Sequence, residues 1–282
     1  MNRHHIKNKE AHWLLKWLSP IVQSSFLLLL RRVMMKFLPF MQLQSQVENI
    51  VYLSWLVDID QVLERYPDSV QLFEKQGKTI FTILTYQHHH FGFSFLKTLR
   101  KRMPSPKQSN WRFYISPDQQ EKTAFFDQVI VDQMMYVMSG RLASDAMPAQ
   151  YAIQFLHQKI QQHIQTDIQL DAEYQLQSLV QISHHKSLPL AWESFFSSWD
   201  EAIRYLVDQE HAWVQWVDQP QKLSQGDIEM PFDFDQIQAV DVLNIHCPLF
   251  KEWGVSEQDV FAFIVPQVDF HVRNERPLSL DC

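Results

Sequence analysis

The chain has 282 residues, 46% of them hydrophobic and 13% aromatic, enough to bury a core in one large domain or two modest ones. A net charge of -7 excludes the broad basic face that nucleic acid requires. Five glycines, with no GxGxxG and no GxxxxGK(S/T), exclude the usual phosphate cradles, and no cofactor is implied. Two cysteines, Cys247 and Cys282, cannot build a disulfide framework, which points to a reducing compartment and a cytoplasmic protein.

Residues 1–45 stand apart as a helical arm, rich in Leu, Trp and Met, with Lys and Arg and almost no acid beyond Glu10. Its longest uncharged run, Trp17 to Leu30, has 14 residues, short of the roughly 20 a spanning helix requires. No small-residue cleavage site succeeds the leucines, so a secretory leader is not expected. Two readings stay open for Trp13 to Phe40. One is a structural arm packed on the domain or a partner; the other is a basic amphipathic segment on an anionic membrane surface.

The globular pattern begins near Glu48, and one domain is expected over 46–282. NIVYLSWLVD predicts a strand, leading into a short helix capped by Asp58 with Gln61 at the capping-box position. Val70 to Phe73 predicts a brief strand before a turn at Gly77. From Thr79 the alternation puts Ile80, Leu84 and Tyr86 on one face and Phe81 and Ile83 on the other. The strand runs into His88, His89 and His90, then Gly92, then a basic segment from Lys97 to Lys107. In the next strand Trp111, Phe113 and Ile115 point one way, while Asn110, Arg112 and Tyr114 point the other. An apolar face backed by an arginine-bearing face suits a barrel wall.

Ala124 to Val131 predicts another strand, and Met134 to Met138 a buried helix, with a turn at Ser139-Gly140-Arg141. Tyr151 to Ser183 carries period-two runs whose interleaved glutamines read as a solvated face. LPLAWESFFSSWDEAIRYLV predicts one helix from Pro189, with Trp192, Phe195, Phe196, Trp199, Ile203 and Leu206 as its apolar stripe. Trp213 to Val217 predicts a strand, Pro220 to Gly226 a turn, and Phe261 to Val265 and Phe270 to Val272 two closing strands. Many strands with few, late helices predict an α+β fold with a mostly antiparallel sheet or barrel.

The motifs WLVDIDQVLERYPDSVQLFEKQGKTIFTI, QSNWRFYI, MSGRLASDAMPAQY and LPLAWESFF, in that order, resemble the uncharacterised YqjF-like family of the acetoacetate-decarboxylase-like superfamily. The resemblance spans roughly Glu48 to Arg273. It implies one domain on a curved, cone-like, mostly antiparallel barrel with a central cavity and a few flanking helices. The decarboxylase branch has a Gly-Arg turn, matched by Gly140 and Arg141. Its subsequent Pro-Lys, whose lysine forms a Schiff base, falls on Pro148 and Ala149, and its strand glutamate falls near Gln108. The resemblance thus implies the fold without the lysine imine.

Arg112 heads the candidate ligand-binding residues. A buried guanidinium either binds a carboxylate or phosphate or pairs with a protein acid such as Asp127 or Asp132. Asn110 and Tyr114 share its face and would add hydrogen bonds to an anion; Arg141 is a second cationic candidate, with helix capping as the alternative. His88 and His90 would face one side of a continuous strand as an HxH pair, with a third ligand from His184, His185 or His246. With no HExxH, no CxxC and no acid nearby, a polar strand end at the barrel mouth is the favoured reading, and no metal is assigned. Cys247 has no adjacent base and reads as a small buried residue. The leading expectation is an acetoacetate-decarboxylase-like barrel that binds a small anionic organic molecule, with no reaction assigned. The alternatives are a membrane-peripheral or partner-binding protein acting through residues 1–45, and a metal enzyme using the histidines.

Overall fold

The computed structural model describes residues 24–35 and 40–279. The chain runs α1 (Ser25–Met35), β1 (Leu43–Asp58), β2 (Lys78–Phe93), β3 (Lys107–Tyr114), β4 (Thr123–Val131) and α2 (Met134–Ala143). It continues with β5 (Gln150–Tyr151), β6 (Gln154–Ile160), β7 (His163–Gln169), β8 (Gln175–Ser183), α3 (Trp199–Val207) and β9 (His211–Gln215). The last elements are β10 (Leu223–Glu229), β11 (Gln238–His246), α4 (Leu249–Glu252) and β12 (Phe261–Leu278). Strand β1 pairs with β2 on one side and β12 on the other, which closes β1, β2, β3, β4, β9, β10 and β12 into a seven-stranded barrel. All these pairings are antiparallel except β4 with β9. Beyond β12 the sheet extends through β11, β8, β7 and β6 as an outer flap.

The period-two reading of the wall holds. Ile80, Leu84, Tyr86 and Tyr114 join the cluster inside the barrel, with Tyr52, Phe263, Ile203 and Leu206. Phe81, Ile83, Trp111 and Phe113 face outward into a second core, where the flap and α4 cover them. The wall is therefore buried on both faces, and β4 has no exposed position. At about 25 cal/mol per Å² of buried apolar surface, this double burial sets register firmly, since a one-residue slip would exchange the two cores.

Several local expectations are corrected. Asp58 makes no side-chain cap, because β1 runs through to it and its carboxylate pairs instead with Lys78 at 3.2 Å. In place of the expected helix come two 3-10 turns, Ile59–Gln61 and Leu63–Arg65, and Leu72 makes only an isolated bridge to Ile115. Ser139-Gly140-Arg141 lies inside α2 and is not a turn. A Cβ on Gly140 would stand 3.5 Å from the Met147 carbonyl oxygen, so its use is close approach. The helix expected from Pro189 is broken: a 3-10 turn covers Leu190–Ser194, and α3 starts afresh at Trp199. Ser198 causes the break, its hydroxyl accepting from the Glu201 amide at 3.1 Å as an N-cap. All six residues of the expected apolar stripe are still buried together. The expected 220–226 turn is shorter, with β10 beginning at Leu223, and the two closing strands are one, β12.

Of the arm, only Ser24–Met35 and the residues from Phe40 are described; Trp13 to Gln23 and residues 36–39 lie outside the described residues. Helix α1 turns its arginines toward the barrel. Arg32 bridges Asp145 at 2.7 Å and Asp218 at 2.6 Å and stacks over Trp216, while Arg31 pairs with Asp145.

Candidate functional site within the barrel

The interior face of β3 presents Gln108, Asn110, Arg112 and Tyr114 in sequence, because alternate residues share a face. Cross-strand register sets Tyr86 opposite Gln108, Leu84 opposite Asn110 and Thr82 opposite Arg112. Arg112, Asn110 and Tyr114 are thus brought together inside the barrel, as their spacing predicts. Arg112 is 6% exposed. Its Nη2 donates to the Leu206 carbonyl at 2.8 Å and to the Tyr114 hydroxyl at 3.4 Å, and its guanidinium lies over the Tyr52 and Tyr114 rings. Its Nε has no partner.

The acids considered as partners for Arg112 are used elsewhere. Asp127 lies on the outer side, accepting from the Tyr66 hydroxyl at 2.8 Å and the Tyr174 hydroxyl at 3.0 Å. Asp132 accepts from the Lys107 amide at 2.9 Å. Among the described residues, no carboxylate forms an ion pair with Arg112.

A directed hydrogen-bond chain crosses the interior beside it. Gln108 Nε2 donates to Asn110 Oδ1 at 2.8 Å, and Asn110 Nδ2 donates to the Tyr86 hydroxyl at 3.0 Å. With its amide so oriented, Gln108 Oε1 must accept from His88 Nε2 at 3.1 Å, which leaves His88 Nδ1 to accept from the Ser45 hydroxyl at 2.7 Å. His88 is fully buried, and burial pushes its pKa down to about 4, so the imidazole is neutral and the polarity fixed. The chain ends on the Tyr86 O–H, whose own pKa burial drives upward. Tyr86, Gln108 and Asn110 border a cavity of about 50 Å³ with Phe126, Ala212, Gly226 and Phe270.

Arg141 is set apart from this group, on α2. Its Nε donates to the Ala149 carbonyl at 2.8 Å, while Nη1 and Nη2 have no partner, and the side chain is 1% exposed. Helix capping is not its role, since the carbonyl it meets lies beyond the helix. Burial pushes its pKa down to about 9. A guanidinium keeps its proton at neutral pH, so the depression expresses a cation held without a counter-charge.

The histidines do not form an HxH pair. His90 has φ +55°, which breaks the alternation after His89, and His89 pairs with Glu48 at 2.8 Å. Among the described residues no group of three His, Cys, Asp or Glu is placed to hold a metal ion. Cys247 is buried, with its thiol pushed up to about 12 by burial. Ala149 is buried in an apolar cluster with Phe126, Val129 and Ala212, and no lysine among the described residues is buried.

The chain Ser45–His88–Gln108–Asn110–Tyr86 was not anticipated as a site. Its members other than Ser45 were visible in the sequence, Tyr86 on the face of Ile80 and Leu84, Asn110 beside Arg112, Gln108 near the family's glutamate position and His88 in the histidine run, but those signals mark orientation and say nothing of partners.

No family model matches the sequence, and no curated protein matches it. Solved structures do. The enduracididine biosynthesis enzyme MppR complexed with pyruvate has a TM-score of 0.56 at 14% identity, covering 86% of this chain and 91% of that one. Acetoacetate decarboxylase from Legionella pneumophila has a TM-score of 0.55 at 10% identity, covering 86% and 88%. An acetoacetate decarboxylase-like enzyme from Sphingomonas wittichii RW1 has a TM-score of 0.54 at 8% identity, covering 84% and 92%. At these identities the likeness is one of architecture, and the chain has the acetoacetate-decarboxylase-like fold.

Proposed function

We propose that the barrel binds a small organic anion and that it does not use lysine Schiff-base chemistry. One observation carries the reading: Arg112 is buried in the barrel with no carboxylate partner among the described residues. A lone cation in a low-dielectric interior costs several kcal/mol, and an incoming carboxylate offsets that cost. Arg141, with two unpartnered nitrogens, adds a second uncompensated cation. The Tyr86 O–H and the Asn110 amide supply neutral hydrogen bonds at the cavity; Arg112, two residues along the same face of β3 and steadied by Tyr114, does not border the cavity but lies behind its Asn110 wall, where its charge favours an anion. A protein of this fold is complexed with pyruvate, a ligand of the class proposed. Ala149, where the resemblance calls for the lysine, supports the absence of an imine. We assign the chain to the YqjF-like branch on the order of its four motifs, and to the cytoplasm on its cysteine usage. Among the described residues no helix is long and apolar enough to cross a membrane.

The test is thermal stabilisation of wild type and Arg112→Met by pyruvate, acetoacetate and phosphate. Wild type should gain melting temperature with at least one anion and the variant with none. Equal gains in both, or none in wild type, would sink the proposal.

One observation favours a second reading, in which the arm docks on a membrane surface. With Arg31 and Arg32 turned inward, α1 exposes Phe26, Leu29, Leu30 and Val33, an i, i+3, i+4, i+7 stripe. A second segment has chemistry that suits anionic lipid, since Lys97, Arg100, Lys101 and Arg102 flank exposed Phe95 and Leu99. Co-sedimentation with vesicles containing phosphatidylserine should be lost in Leu29→Glu/Leu30→Glu; no binding by wild type rules this reading out.

A further inference from the structure

The barrel cavity is too small to be the whole of a ligand site. At about 50 Å³ it is a third of the roughly 150 Å³ cavity that admits a benzene-sized guest. It does not end there. Phe91, Ser144 and Met147 border it, and the same three residues border a second pocket of about 190 Å³ at the barrel mouth. That outer pocket lies between three walls, the end of β2, the Met103-Pro104 segment and α2, with Phe93, Met103, Met135 and Ala143 among them, and is flanked by Phe40, Met41 and Leu43 at the start of β1. Its lining is almost wholly apolar. An apolar cavity of about 150 Å³ is known to stay dry and to take a benzene-sized guest.

The outer pocket is also held open by specific bonds. The Tyr136 hydroxyl, on α2, reaches the Phe91 carbonyl at 2.8 Å and the Pro104 carbonyl at 3.0 Å, tying the three walls together. Phe91 is stacked between Tyr136 at 5.3 Å and His88 at 4.4 Å, so the ring at the constriction is clamped on both sides. Ser144 is fixed by donating to Glu275. Met147, an unbranched and adaptable side chain, is the one yielding member of the constriction. A preformed apolar chamber thus abuts, across Phe91, Ser144 and Met147, a cavity whose far wall offers Tyr86, Asn110 and Gln108.

We propose that the ligand is amphiphilic: a carboxylate or keto-carboxylate head enters the barrel cavity, and a hydrocarbon group, a short alkyl chain or one aromatic ring, fills the outer pocket. The head-group half rests on the anion reading of the barrel; the hydrocarbon half rests on the pocket alone. Size excludes a long-chain fatty acid lying wholly inside, and the lining excludes a second charged group at the tail.

The experiment is isothermal titration with a homologous series from acetate to octanoate and a matching series of alcohols from ethanol to octanol. Carboxylate affinity should rise about fourfold per added methylene until the pocket is full, then level off. Ser139→Phe, at an exposed α2 position bordering the pocket, should abolish the chain-length increment while leaving pyruvate binding unchanged. Ala143→Phe, which intrudes from the same helix, is the second variant and should act alike. Alcohols showing the same increment while no carboxylate binds would support the pocket and overturn the anion reading. Carboxylates that bind with no chain-length dependence, or an increment that survives in both variants, would overturn the pocket proposal.

Discussion

Two buried histidines should make this protein acid-labile, and their surroundings set the size of the effect. His88 sits between the Ser45 hydroxyl and Gln108 Oε1; His157 sits between the Thr166 hydroxyl at 2.9 Å and the Asn49 carbonyl at 2.9 Å. Burial, as the largest cause, pushes both pKa values down to about 4 from an ordinary 6.5. Between those values the unfolded chain binds protons that the folded chain refuses, so stability falls as pH drops from 6.5 and stays low below 4. The 2.5-unit gap, at 1.36 kcal/mol per unit, is about 3 kcal/mol per histidine. Losing roughly 6 kcal/mol would remove most of the 5–15 kcal/mol that holds an ordinary domain together. Urea melts of wild type, His88→Gln and His157→Gln at pH 7.5, 5.5 and 4.5 read this directly. Each variant should be less stable at pH 7.5 and show a shallower loss toward pH 4.5, by up to one proton in the slope. A variant that keeps the wild-type slope would refute the assignment for that histidine, and a flat wild-type profile would refute it for both.

The same interior leads to two further outcomes. Incubation with acetoacetate and borohydride should leave the intact mass unchanged, because Ala149 offers no amine; a stable adduct on any lysine, with Lys107 the nearest in sequence to the Arg112 strand, would overturn this. In ligand-free buffer Arg112→Met should melt within about 1 kcal/mol of wild type, since Tyr114 remains 3.3 Å from the Leu206 carbonyl and an unpaired charge is removed. A loss of about 3–5 kcal/mol would instead mark a hidden ionic partner.

The barrel was legible in the sequence wherever a strand obeyed strict alternation. Asn110, Arg112 and Tyr114 could be assigned to one face, and Phe81 and Trp111 to the other, because side-chain period two is a local property. What stood opposite them was not local. Tyr86 meets Asn110 across β2 and β3, whose register is set through the irregular Ser94–Arg102 segment, and bulges between Gln44 and Gln46, between Glu48 and Val51, and at Trp111/Arg112 shift the pairings on either side, so their meeting could not be counted out along the chain. The partners of the α1 arginines were not legible because nothing nearby in sequence announces Asp145 and Asp218. The outer pocket escaped for the same reason: its walls come from β2, from Met103-Pro104 and from α2, three stretches with no shared motif. Where local signals competed, the nearer one won, as when the cap at Ser198 split a well-patterned helix in two.

The closure of the barrel through β1 carries a kinetic consequence. Strands β1 to β4 form a contiguous antiparallel meander in which each strand pairs with its neighbour in sequence. Leu43 must also find Val272, and β4 must find β9 alongside it in parallel after β5 to β8 and α3 have been laid down. Contacts of such long sequence separation are slow to form. Until they do, the open edges of β1 and β4 and a wall apolar on both faces stand available to a neighbouring chain. Refolding yield should therefore fall steeply with protein concentration, while the closed barrel, once made, presents neither edge to solvent.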